Sequence, residues 1–235
     1  MSCKFCGAHK PLIKAHVVPA GFFRRLRHGN RPPRMLTNIN GVYPKKAPTG
    51  VYDTSIVCAE CEAQFGPWDD YAQQLLQDEP LNGRKMYVGR ELVAYEVPGY
   101  GYEALKLFFV SLLWRASASS HSFYGKIRLG PFERRAKELI KRRVPGGPEE
   151  FSVVLSKFKH PYGSTILDPH PEKFFGINYV RFYLGGYVAY VKVDQRKTPA
   201  SLSKHILRDG KSLCIIVRDL ERSQELAVIK NIIES

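Results

Sequence analysis

The alternation of apolar and polar positions changes character near residue 80. Upstream the apolar runs are short. Leu12 to Val18 and Val51 to Val57 read as brief strands, and Glu62 to Gln77, interrupted by Gly66-Pro67, reads as a helix with Trp68, Tyr71, Ala72, Leu75 and Leu76 on one face. Between the strands, residues 28–49 are rich in Gly, Pro and Asn and are expected to hold little regular structure. Downstream the runs lengthen. Met86 to Val97 is expected as a strand or hairpin, residues 102–119 as an apolar buried helix, 131–143 as a basic amphipathic helix and 221–233 as a further helix. Residues 151–158, 174–182, 186–193 and 213–217, rich in Val, Ile, Phe and Tyr, are expected as strands. The predicted fold class is therefore α+β, with a small unit over residues 1–80 followed by a larger mixed α+β domain over 81–235.

Two cysteine pairs, Cys3-x-x-Cys6 and Cys58-x-x-Cys61, add a constraint that periodicity does not carry. Each such turn offers two thiolates to a metal at about 2.3 Å, and two turns complete a tetrahedral structural zinc site. The chain has 5 cysteines, an odd number, and no apolar leader follows Met1, so reduced thiols and a cytoplasmic setting are expected. Cys214, inside Leu213 to Val217, is expected in a buried strand. The longest apolar stretch, Ala104 to Trp114, contains Lys106 and falls short of the roughly 20 residues a membrane helix needs, so no span is expected.

Charge narrows the partners. There are 36 Lys and Arg against 22 Asp and Glu, a formal net charge of +14, which suits a polyanion such as nucleic acid or a membrane surface. Arg24, Arg25, Arg27, Arg31, Arg34, Lys45 and Lys46 occur with no acidic residue among them, inside the loop that the cysteines close, and are expected to contact phosphates. A second basic cluster, Arg134 to Arg143, reads as the solvated face of its helix.

Cys3 and Cys6, the string Lys14-Ala15-His16-Val17-Val18-Pro19, Tyr52-Asp53, and Cys58-Ala59-Glu60-Cys61-Glu62 together resemble the zinc-stabilised HNH endonucleases of the ββα-metal class, over about residues 1–75. The resemblance implies a zinc-stapled ββα-metal module that hydrolyses phosphodiester bonds, with DNA as the expected substrate. It makes His16 the general base that takes a proton from water. Asp53 stands in the place of the family's Asn, which orients the histidine. Glu62 stands where the family has a helical His or Asn that binds catalytic Mg2+ or Mn2+, with Asp53 as a second candidate ligand. The pattern departs from the family at Ala15, where an acidic residue normally precedes the histidine, and at Asp53 and Glu62, which are carboxylates in neutral positions. Asp69 and Asp70 offer further carboxylates on the following helix.

An alternative from another class is an inactive zinc-stapled nucleic-acid-binding or interaction protein, which the basic loop and Ala15 suit equally. A zinc nucleobase deaminase is disfavoured because its H-x-E signature meets Val18 in place of the glutamate. Expected partners are nucleic acid and either a second copy of the chain or another protein that supplies specificity. His9, His28, His121, His160, His170 and His205 have no spacing that assigns them a role.

Overall fold

The longest uniformly apolar segment becomes the centre of the molecule. In the computed structural model, which describes residues 1–24, 26, 32–37, 43–77, 83–159, 165–221, 223 and 225–226, residues Tyr102–Ala118 form a helix that is buried on nearly every side. Its hydrophobic positions are not confined to one stripe, so neighbours must cover it all round. The elements in chain order are β1 (Ala15–His16), α1 (Ala20–Arg24), β2 (Arg34–Leu36), β3 (Lys45–Lys46), β4 (Tyr52–Asp53), α2 (Ala59–Ala63) and α3 (Gly66–Gln77). They continue with β5 (Arg84–Val88), β6 (Glu91–Val97), the central α4, a 3-10 turn at Ser122–Tyr124, α5 (Phe132–Arg142), β7 (Val153–Phe158) and β8 (Thr165–Leu167). β9 (His170–Phe174), β10 (Ile177–Leu184), β11 (Tyr187–Lys192), α6 (Ala200–Ser203) and β12 (Leu213–Arg218) complete the series. The fold is thus mixed α and β. No helix among the described residues is long and apolar enough to cross a membrane.

The large sheet runs β5-β6-β12-β7-β11-β10-β9. All its pairings are antiparallel except β12 on β7, so β12 inserts between two strands that precede it in the chain. Period-two alternation sends neighbouring residues of one strand to different cores. Val153 and Leu155 of β7, Ala189 and Val191 of β11, Phe182 and Leu184 of β10, and Leu213 and Ile215 of β12 join the core around α4. Val154, Val188, Tyr190, Tyr179, Tyr183 and Phe158 line a second cluster on the opposite face. This two-sided burial is why Tyr187–Lys192 is buried at every position.

The N-terminal residues do not build a core of their own. Cys3, Phe5, Val17, Ile56, Cys58, Phe65 and Trp68 share one cluster with Leu112, Leu113 and Trp114 of α4. Phe5 meets Trp114 edge-on at 5.1 Å between ring centroids, and α3 packs along α4.

Within the loop expected to lack structure, β2 pairs antiparallel with β3 and parallel with β8. Its partner lies far downstream, which local composition does not register. Arg25, Arg27 and Arg31 fall outside the described residues, as does most of the helix expected over 221–233. The second basic cluster is largely engaged: Arg135 bonds Glu138 and Glu150, Arg142 bonds Glu138, and Lys137 donates to the carbonyl of Lys4.

Candidate metal centre and the histidine beside it

The two cysteine turns are held by backbone bonds before any ion is considered. Gly7 N–H donates to Cys3 O at 2.8 Å with Gly7 at φ +84°, a conformation that favours glycine, and Cys3 N–H donates to Ala8 O at 2.9 Å. In the second turn the N–H groups of Cys61 and Glu62 converge on Cys58 O at 3.1 and 3.0 Å as α2 begins. Lys4 N–H to Ile56 O, 2.9 Å, ties one turn to the other.

As a result the four Sγ atoms lie within 4.8 Å of one another, with Cys3, Cys58 and Cys61 buried and Cys6 exposed. A tetrahedron with Zn–S bonds of about 2.3 Å has S···S edges of about 3.8 Å, so a small inward movement closes the site. Burial alone raises the Cys3 pKa, but backbone N–H groups, led by those of Cys6 and Cys58, bring it down to about 6. Burial and the crowding of the other three thiols push Cys61 up, a cost that a bound dication offsets. The donor set fits zinc. Among the described residues it is the one group of three or more His, Cys, Asp or Glu that could hold a metal ion.

His16 stands beside this centre on β1, whose antiparallel partner is β4. The register pairs His16 with Tyr52 and Ala15 with Asp53, so the imidazole and the Tyr52 ring share one face, 6.0 Å between centroids, and Asp53 takes the other. The His16 Nε2 lies 2.9 Å from the carbonyl oxygen of Thr49. A carbonyl only accepts, so Nε2 carries the hydrogen and Nδ1 keeps the free lone pair. Burial lowers the His16 pKa and the Arg115 guanidinium adds to this, opposed by the Thr49 carbonyl and Asp69. The ring is therefore neutral at pH 7.

The carboxylates separate by role. Asp53 Oδ1 accepts from Ser55 N–H and Oγ at 2.7 and 2.6 Å, while Oδ2 accepts from Ser119 Oγ, Ser120 N–H and His121 N–H at 2.6, 2.8 and 3.0 Å. Burial raises its pKa, but these bonds, led by Ser119 and Ser55, hold it well below the usual carboxylate range. Both oxygens are bonded on the side of the ribbon away from His16, and among the described residues it is the Thr49 carbonyl, not Asp53, that bonds the imidazole.

Glu62 does approach His16, accepting from its backbone N–H. Burial pushes the Glu62 pKa up, and its Oε2 is buried with no partner. Asp69 is bound at both oxygens by Arg115, at 2.9 and 2.7 Å, and the same guanidinium donates to His16 O at 2.9 Å. Arg115 has 0% of its side chain exposed. With Asp53 and Asp69 engaged, Glu62 is, among the described residues, the carboxylate that both bonds His16 and keeps an oxygen without a partner. This donor set does not fit the Mg2+ or Mn2+ site expected from sequence, because a hard dication needs several oxygen ligands.

No family model, curated protein or solved structure matches this chain. What the chain can do is therefore read from its own geometry.

A groove of about 600 Å³, which shares Thr49 and Tyr52 with the surroundings of His16, is lined by these two, Met35, Lys45, Lys46, His121 and the hydrogen-bonded carboxylate of Asp53 among others. The β2–β3 register sets Arg34 directly opposite Lys46, a like-charge pair. Arg34, Lys45 and Lys46 are exposed and have no acidic partner among the described residues. Arg24 lies at the end of α1. The residues that sequence reasoning missed are Thr49, which acts through its carbonyl, and Arg115, whose signal was an arginine inside an apolar helix.

Proposed function

We propose that the chain is an HNH-type nuclease that hydrolyses phosphodiester bonds in nucleic acid, DNA being the expected substrate, with His16 as general base. In this reading β1, β4 and the helices after Cys58 correspond to a ββα module stapled by zinc at Cys3, Cys6, Cys58 and Cys61. The observation that carries the proposal is the Thr49 carbonyl on His16 Nε2. It fixes the tautomer and ring so that a neutral Nδ1 can take a proton from water; the hydroxide equivalent formed attacks phosphorus as the P–O bond to the leaving sugar oxygen breaks, and that oxygen takes a proton from solvent. Lys45 and Lys46, which line the adjoining groove, attract the phosphate backbone, and Arg34, across from Lys46 on β2, adds to the positive charge there. Glu62 and Arg115 hold the His16 backbone from both sides of its peptide unit, through N–H and C=O.

Purified, zinc-loaded protein is expected to nick plasmid DNA when assayed with and without Mg2+ or Mn2+. His16→Ala should lose at least about a hundredfold in rate with zinc content unchanged. Because the folded pKa of His16 is depressed, its basic form persists below pH 6.5, so the acid limb of the rate profile should lie under that value. Equal cleavage by wild type and His16→Ala overturns the assignment. One feature favours a second reading, nucleic-acid binding without hydrolysis: the engagement of Asp53 and Asp69, which leaves Glu62 as a lone ligand. Salt-dependent retention of DNA with no cleavage under any metal selects that reading.

A further inference from the structure

His121 has no place in the chemistry above, yet it lines the same groove as Lys45, Lys46, Thr49 and Tyr52. Its Nδ1 accepts the backbone N–H of Phe123 at 3.1 Å, capping the 3-10 turn at Ser122–Tyr124. Accepting an N–H requires a bare nitrogen, so the hydrogen of the neutral ring sits on Nε2, which has no partner among the described residues. The backbone of the same residue is locked, its N–H donating to Asp53 Oδ2 at 3.0 Å. Ser120, also on the groove wall, donates its N–H to the same oxygen at 2.8 Å. Asp53 thus fixes the segment that carries His121, and the fixed segment adds an unused donor to the groove that Lys45 and Lys46 also line.

We propose that this groove is a phosphate-binding track for one nucleic-acid strand, in which His121 Nε2–H donates to a backbone phosphate oxygen and Lys45 and Lys46 neutralise that phosphate and its neighbour. Tyr52 is 39% exposed, and a base of the same strand stacks on the ring face that Lys14, whose Nζ lies 5.3 Å from the centroid, does not cover. The proposal rests on the nucleic-acid reading above and adds to it a location, a strand and a second histidine. It assigns Asp53 a positioning role: Asp53 acts through the Ser119 to His121 segment and not on His16.

The test uses the full zinc-loaded chain and a fluorescently labelled dT12 oligonucleotide. Anisotropy is read at pH 8 over a series of salt concentrations, and the oligonucleotide is checked for intactness afterwards. Lys45→Ala and Lys46→Ala should each flatten the log-log salt slope by about 0.7, the single-strand value per phosphate contact. His121→Asn keeps an acceptor for the Phe123 N–H, and with it the cap, but its shorter amide, although it still carries N–H groups, ends short of the position that the imidazole Nε2 occupies. It should weaken binding about five- to tenfold with the slope and melting temperature unchanged.

Wild-type affinity in His121→Asn, or an unaltered slope in both lysine variants, overturns the proposal. So does binding to phosphatidylserine vesicles without binding to dT12. If His121→Asn fails to fold, the lysine slopes decide. Binding with these dependences but no cleavage removes the nuclease and leaves the groove, whereas cleavage with none of them removes the groove alone.

Discussion

Asp53 accepts hydrogen bonds from three serines and His121, and that is where its charge is used. The resemblance placed it beside the histidine, in the position of the family's Asn. The register, which turns on a single residue, sends it to the opposite face. Its carboxyl is ionised more readily in the folded chain than in the unfolded one. The stability it contributes is therefore fully present above about pH 4 and is lost as pH falls through the unfolded value of 3.8 toward the lower folded one. Asp53→Asn turns an amide toward backbone N–H groups that need an acceptor. It should cost on the order of 3 kcal/mol at pH 7 and flatten the acid side of the stability profile, as read by denaturant unfolding between pH 3 and 7. An acid limb as steep in Asp53→Asn as in wild type would contradict this account. His16, by contrast, was legible from its flanking string, although the Thr49 contact that fixes its tautomer was not, because a main-chain carbonyl leaves no trace in residue type.

At the scale of elements, the cysteine turns were the clearest signal in the sequence, since two ligands three residues apart encode their own geometry. α4, α5 and the β7, β10, β11 and β12 strands were also legible, with ends shifted by up to three residues. β2 and β3 were not. Each is held by pairing, β2 by a strand that follows it at Thr165–Leu167, and a Gly- and Pro-rich composition conceals such distant partners. The four-cysteine site leads to a direct expectation. Zinc analysis should give one ion per chain, and chelation or Cys61→Ser should lower stability by several kcal/mol, on the order of 10 °C in Tm for a chain of this size. A Tm indifferent to chelation would show that the turns stand without the ion.

Over the whole molecule, the expected division into a unit over residues 1–80 and a domain over 81–235 meets a cluster that runs from Cys3 through Phe65 to Trp114 and on to Val153 and Leu213. Arg115 crosses the same ground, joining α4 to Asp69 on α3 and to the backbone of His16. Arg115→Met leaves Asp69 unpaired in a site with 14% exposure, and should cost about 3–5 kcal/mol. Because the pair binds the two halves together, that loss should appear as one cooperative calorimetric transition moved to lower temperature. Two resolved transitions, with only the first displaced, would mean that the halves unfold independently.

The place of β12 between β6 and β7 also bears on how the molecule is made. Both flanking strands leave the ribosome before residue 160, yet the strand that joins them is the stretch Leu213–Arg218. Until it arrives, a nascent chain carries two unjoined half-sheets with open edges, and α4 lacks the Leu213 and Ile215 that complete its surroundings. α4 carries Arg115, and the segment leaving it carries Ser119 and Ser120, so the surroundings of the scaffold behind His16 and Asp53 are completed only after Leu213–Arg218 has been made. Vectorial production thus makes the packing behind the histidine wait for a strand that is translated about a hundred residues after α4.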